Sequence, residues 1–141
     1  MSILTESFYE KLVNDVILTD MISLYEETPA VFTTDPAPGA AELPYIVTAG
    51  EITQNPKDSK NCLGRDIFRD IRLYTAKTGS SILIEAMAER ARALFHRQPL
   101  SIDGYEWVLS NCFGPVVADE EDVYGRVLTV NVFVDKLFEG S

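Results

Sequence analysis

Arg65-Asp-Ile-Phe-Arg-Asp-Ile-Arg-Leu-Tyr-Thr75 alternates strongly, with Ile67, Ile71 and Leu73 on one side and Asp66, Asp70 and Arg72 on the other. A period of two is the mark of a strand with one buried face. Phe68 and Tyr74 fall on the charged side, which predicts that the second face is partly covered too. Tyr124 to Asp135 repeats the pattern, with Leu128, Val130, Val132 and Val134 on one face. Between the two runs, residues 80–96 read as helix. Ser80 or Ser81 caps it, and Leu83, Met87, Ala91 and Leu94 repeat along one side. Glu85 and Glu89 come early and Arg90, Arg92, His96 and Arg97 late, as the helix macrodipole favours. Pro99 stops it.

Working outward, Phe8, Leu12 and Val16 recur every four residues, with Tyr9, Val13, Ile17 and Met21 beside them. This stripe predicts a first helix starting near Phe8, with Ser7 and Glu10 as a capping box. Thr19-Asp20 then caps a second short helix, Met21 to Glu26. Pro29, Pro36, Pro38 and Gly39 make residues 28–43 an irregular connection. After Pro44, Tyr45 to Ile52 is β-branched and aromatic and reads as strand. Thr53 to Asn61 is polar and reads as an exposed loop. Asp103-Gly104 signals a two-residue type I′ hairpin. Strand follows from Trp107 through Val117, bent or bulged at Gly114-Pro115, and Asp119-Glu-Glu-Asp122 turns the chain into the last strand. The order is α-(α)-β-β-α-β-β. It predicts a single α+β domain over residues 1–141, an antiparallel sheet of about four strands with two main helices on one face.

Composition agrees with one globular unit: 141 residues, 46% hydrophobic and 24% charged. No apolar run approaches the ~18 residues that a membrane helix needs. The first positive charge is Lys11, so no secretory leader is expected. Cys62 and Cys112 form no framework, and no asparagine stands in a glycosylation sequon, which predicts an intracellular product. The net charge of −10 is unevenly spread: −8 over residues 1–56, +4 over 57–97 and −6 over 98–141. Such a chain as a whole is repelled by nucleic-acid phosphate. A basic middle and acidic ends suggest opposite flanks that join subunits head to tail, closing a ring if the rotation allows. That idea requires the nine basic side chains of the middle segment to gather on one flank.

Chemistry is sparse. His96 has no second histidine or cysteine at ligand spacing and reads as a surface residue favouring the helix dipole. Neither cysteine has an obvious activating partner. The glycines form no phosphate-binding motif and no nucleophile elbow. Asp66 and Asp70 share a strand face but stand about 13 Å apart, too far to hold one metal. Asp119, Glu120, Glu121 and Asp122 lack EF-hand spacing and read as a solvated turn. The expectation is therefore no enzyme, no catalytic residue, no cofactor and no metal.

Leu43-Pro-Tyr-Ile-Val47, Arg69-Asp-Ile-Arg-Leu-Tyr74, Ala86-Met-Ala-Glu-Arg-Ala-Arg-Ala-Leu94 and Tyr124-Gly-Arg-Val-Leu-Thr-Val-Asn-Val-Phe133 follow one another in a characteristic order. With the opening helices, this order resembles the tail-completion, or tail-terminator, proteins of long-tailed bacteriophages, prophages and gene transfer agents. The resemblance runs from about Phe8 to Val134. It implies a non-enzymatic subunit that assembles as a homo-oligomer, often a hexameric ring, on the head-proximal end of the tail tube. It further implies contact with the tail tube protein and with a neck or head-completion protein, DNA only as passing cargo, no membrane, and residence first in the bacterial cytoplasm and then in the virion tail. Candidate contact residues are those of the two exposed loops, Gln54, Asn55, Lys57, Asp58 and Lys60 in one and Asp119, Glu120, Glu121 and Asp122 in the other. A head-completion role in the same particles, or a small ligand-binding domain, are the alternatives.

Overall fold

A computed structural model describes residues 3–34, 37–56, 64–78 and 80–136, with the backbone alone for 51–56. Its centre is the pair read from sequence. Strand β6 (Gly64–Ala76) runs antiparallel to β8 (Val123–Lys136) from Gly64 opposite Asp135 to Ala76 opposite Val123. Strand β7 (Tyr105–Val117) lies on the far side of β8. On the other side of β6, β4 (Tyr45–Val47) pairs with Arg72 to Tyr74 and β5 (Glu51–Pro56) with Arg65 to Arg69. The expected antiparallel kernel of β4, β6, β8 and β7 is present. It is extended to six strands by β5 and by β3 (Val31–Phe32), which runs parallel to β4 at the edge.

Two sequence expectations change here. The strand expected over Tyr45 to Ile52 breaks after Val47, because Gly50 takes a φ of +75° and redirects the chain. The loop expected from Thr53 is strand as far as Pro56, because its backbone pairs with β6.

The three helices among the described residues cover one face. Phe8 and Leu12 of α1 (Thr5–Val13), Leu18 of α2 (Val16–Thr19), and Ile84, Met87, Ala88, Ala91 and Phe95 of α3 (Ile82–Phe95) are buried there. They pack on Ile67, Ile71 and Leu73 of β6 and Leu128, Val130, Val132 and Val134 of β8. Each large side chain so buried contributes about 1.5–3 kcal/mol. The Phe8 and Phe95 rings meet at 4.5 Å between centroids and lock α1 to α3.

The helices differ in detail from the sequence reading. α1 starts three residues before Phe8, and Ser7 is buried inside it with no side-chain cap at its N-terminus. The long stripe is cut at Asp15, whose Oδ2 accepts from the Leu18 N–H at 2.9 Å and caps α2. Val16 and Ile17 are therefore exposed rather than buried. Met21 to Glu26 is not helical; it leads into a hairpin of β1 (Leu24–Tyr25) and β2 (Thr28–Pro29). The buried stripe of α3 is rotated by about one residue, leaving Leu83 40% exposed and Leu94 at the rim. The Asp103-Gly104 hairpin forms, but of its two central residues Gly104 alone has positive φ, which is type II rather than type I′ behaviour.

Asp15 also holds Arg90, whose Nε donates at 2.9 Å. That bond, helped by the Leu18 N–H and opposed by burial, holds the Asp15 carboxyl below its ordinary value. Asp15→Ala removes the α2 cap, worth about 1 kcal/mol, together with the ion pair. A depressed carboxyl stabilises the fold above its unfolded value, and the contribution fades as pH falls below about 4. Urea midpoints of wild type and variant are thus expected to differ at neutral pH and to converge in acid.

The β1–β2 hairpin contains the type I′ geometry expected elsewhere. Glu26 and Glu27 hold φ of 50° and 70°, a region where side chains other than Gly and Asn are strained. The double change Glu26→Asn and Glu27→Gly is expected to raise stability by roughly 1–2 kcal/mol. Thermal melts of the double variant measure it directly.

Candidate interaction surface

Of the four acidic residues between β7 and β8, Asp119 is turned back into the fold. Its Oδ1 accepts from the Gly125 N–H at 2.9 Å and from Arg126 Nη1 at 2.8 Å. The Gly125 hydrogen bond first, and then the Arg126 charge, hold this carboxyl below its ordinary value. Glu120, Glu121 and Asp122 remain exposed at the tip, where Glu120 bridges to Val123. Among the described residues no three His, Cys, Asp or Glu side chains gather as a metal site. The turn reverses the chain and carries Glu120, Glu121 and Asp122 beside the bonded Asp119.

The other candidate loop divides. Gln54 and Asn55 belong to β5, opposite Ile67 and Asp66. Lys57, Asp58 and Lys60 lie outside the described residues, as does Cys62.

The sheet's second face is unequally covered. At the β4 end, Tyr25, Phe32, Tyr45 and Tyr74 meet one after another in edge-to-face and tilted contacts, with centroid separations of 5.2 to 5.8 Å. That cluster explains why Tyr74 sits on the charged side of its strand. Towards β7 the face is mixed, and none of the described helices covers it. Thr129 donates to Asp70 at 2.9 Å, and Asn131 donates to Asp66, so the Asp residues of β6 are bonded across to β8 rather than held ready for chemistry. Leu109, Phe113 and Val116 of β7 lie on this face and are 42, 55 and 64% exposed.

Strand β7 is also an edge of the sheet, and a long unpaired edge invites pairing with another chain. Its middle is blocked. The Arg97 N–H donates to the Ser110 carbonyl at 2.8 Å, and the Cys112 N–H donates to His96 Nδ1 at 3.1 Å. Ser110 Oγ donates to the Phe95 carbonyl at 2.8 Å, binding the end of α3 to the strand. His96 thus acts as a neutral acceptor, which displaces the helix-dipole role expected of a protonated ring. Burial, and then Arg92 and Arg97, lower its pKa in the same direction. Cys112 is buried beside it with its thiol pushed up to about 11 by burial, as an inert packing residue should be.

The charges do not divide as the sequence suggested. Arg69 is wholly buried, Arg72 lies near Asp70 at 3.7 Å, Arg90 pairs with Asp15, and Lys77 sits over the Tyr124 ring. Sequence proximity does not survive folding, and the described basic residues of the middle segment form no single patch. What does persist is narrower. Arg92 and Arg97 flank the β7 edge with no carboxylate partner among the described residues. The continuous stretch 16–27, tied to the β4 side at Ser23, carries Asp20, Glu26 and Glu27 and exposed Val16, Ile17 and Leu24. No basic residue occurs anywhere between Lys11 and Lys57.

No family model matches the chain, and no curated protein matches it in sequence. A solved structure does: the chain superposes on a component of the virion of a native gene transfer agent particle with a TM-score of 0.75. The match covers 94% of both chains at 19% sequence identity. The two proteins share a fold from end to end.

Proposed function

We propose that the protein is a structural subunit of a phage-like particle, with the role of a tail terminator. The observation that carries this reading is the end-to-end likeness to a chain of a gene transfer agent virion, 94% of each chain at a TM-score of 0.75. The order of sequence elements from Phe8 to Val134 supports it independently, since that order resembles the tail-terminator family. The acidic balance fits a part through which DNA passes without being gripped. In this role subunits close a ring, hexameric by analogy, on the head-proximal end of the tail tube. The tube protein lies on one side and a neck or head-completion protein on the other. The chain acts by assembly rather than catalysis, first in the bacterial cytoplasm and then in the virion.

Electron microscopy of particles made without the gene, and with it restored, tests the reading. Overlong tubes with unattached heads, corrected on restoration, are the expected result. Tails of normal length beside leaking heads would move the protein to head completion, and intact particles would remove it from assembly.

A further inference from the structure

We propose that the groove between α1 and the connection from α3 to β7 holds a basic, extended segment of a partner protein, its cations set against Glu6, Glu10 and Asp103. The proposal stands on geometry that the tail reading does not use, so either can fail without the other.

Four observations carry it. The groove is continuous: a cavity of about 400 Å³ running towards Asn14 and another of about 410 Å³ running towards Ile3 share Ser7, Glu10 and Ser101. It contains an unmet polar group. Ser7 is 8% exposed, borders both cavities, and its hydroxyl has no hydrogen-bond partner among the described residues. A buried hydroxyl left so costs free energy, which a polar ligand recovers. One wall carries unused main chain: Leu100 and Ser101 make no main-chain hydrogen bond among the described residues. The rim is acidic. Glu6 and Glu10 stand one turn apart on α1, Asp103 borders the same cavity, and all three are exposed. The cation on the groove, Lys11, is engaged, its ammonium donating to the Pro99 carbonyl at 3.2 Å. Exposed carboxylates are common on this chain; the buried hydroxyl and the free main chain beside them are what mark these three out.

Charge and spacing choose the occupant. The carboxylates call for a cation, yet among the described residues no three His, Cys, Asp or Glu side chains gather closely enough to hold one metal ion. Cations spaced along a chain match carboxylates spaced along a groove. Arginine suits the site, since its guanidinium forks onto a carboxylate through two parallel hydrogen bonds. An extended peptide presents alternate side chains to one face, and its main chain supplies partners for Leu100, Ser101 and the Ser7 hydroxyl. Exposed ion pairs are individually weak, so the affinity is modest and falls as salt screens them. A free polyamine carries similar charge without the main chain and is an outcome the test separates.

The test titrates the whole chain at low salt with a short, end-blocked peptide of alternating arginine and glycine, followed by amide NMR shifts and calorimetry. Shifts are expected along residues 3–14 and 99–104. The variant Glu6→Gln, Glu10→Gln and Asp103→Asn is expected to bind about tenfold more weakly. Glu120→Gln, Glu121→Gln and Asp122→Asn removes as many charges from the turn before β8 and is expected to bind as wild type does. Ser101→Trp, at an exposed position, fills the groove without changing charge and is expected to lose about tenfold as well. Circular dichroism melts confirm that all three variants are folded. Equal weakening by the two charge variants overturns the proposal, since it makes the attraction a matter of net charge. Undiminished binding by Ser101→Trp overturns it too, as does a wild type that ignores the peptide or takes spermidine as tightly. Intact deletion particles would reject the tail role and leave this result untouched.

Discussion

Arg69→Ala is expected to lower stability by about 3–4 kcal/mol. Arg69 is fully buried on the helix-facing side of the sheet between Ile67 and Ile71. Its Nε donates to Thr48 Oγ1 at 2.8 Å, its Nη2 to the Thr48 carbonyl, and its Nη1 to Thr5 Oγ1 at 3.1 Å. The guanidinium also stands 5.5 Å from the centroid of Phe8. It therefore ties α1 to the bend between β4 and β5. Alanine leaves a cavity and strips donors from the two Thr48 acceptors, which are themselves shut away from water. Arg69→Met separates the two effects, because it restores volume without donors; a loss close to that of alanine makes hydrogen bonding the dominant part. Arg69→Lys is not a conservative change, since one ammonium cannot reach three acceptors arranged around a planar fork. Urea midpoints at unchanged slope give these differences.

Gly125→Ala is expected to cost about 2–3 kcal/mol, or roughly 5–10 °C in Tm. A Cβ at Gly125 would lie 2.4 Å from the Ala118 carbonyl oxygen and 3.1 Å from its carbon. Both obstacles are backbone, and the same two residues exchange the Ala118 N–H to Gly125 carbonyl bond at 3.0 Å. Neither can retreat without opening the end of the β7–β8 ladder. Because the Gly125 N–H also anchors Asp119, the change should release that side chain and free the acidic turn. A melt with little change in Tm would mean that the strand ends shift apart cheaply.

The central architecture was legible because period-two alternation survives wherever one sheet face is buried. β6, β8 and the bulged β7 lie close to their expected places, and the shift of register between Phe113 and Val116 accompanies Gly114 at a φ of +103°. Arg69 was legible in principle: its parity places it with Ile67 and Ile71, yet residue type suggested a surface cation. The helical errors share one cause. Asp15 can cap a new helix only through a turn that periodicity does not register, so a stripe broken in space looks continuous in sequence. Of the site, the acidic turn was found but the role of Asp119 was not, since its partners Gly125 and Arg126 come from the following strand. The β7 edge latch was invisible because it depends on where the end of α3 lands. Charge sums failed for a similar reason: they count Arg69 and Arg90, which folding buries or pairs, equally with Arg92 and Arg97.

The β6–β8 pair also governs when this chain becomes a protein. Residues 64–76 find their partners at 123–136, with α3 and β7 in between, so the longest ladder closes a loop spanning much of the sequence. Such non-local pairing is slow, because loop entropy is lost before any contact compensates it. Until translation has passed Lys136, both β6 and β7 lack β8 as a neighbour. A nascent chain shorter than that has no finished edge to offer. Any contact that uses the finished sheet is thereby deferred until the chain has been made through β8.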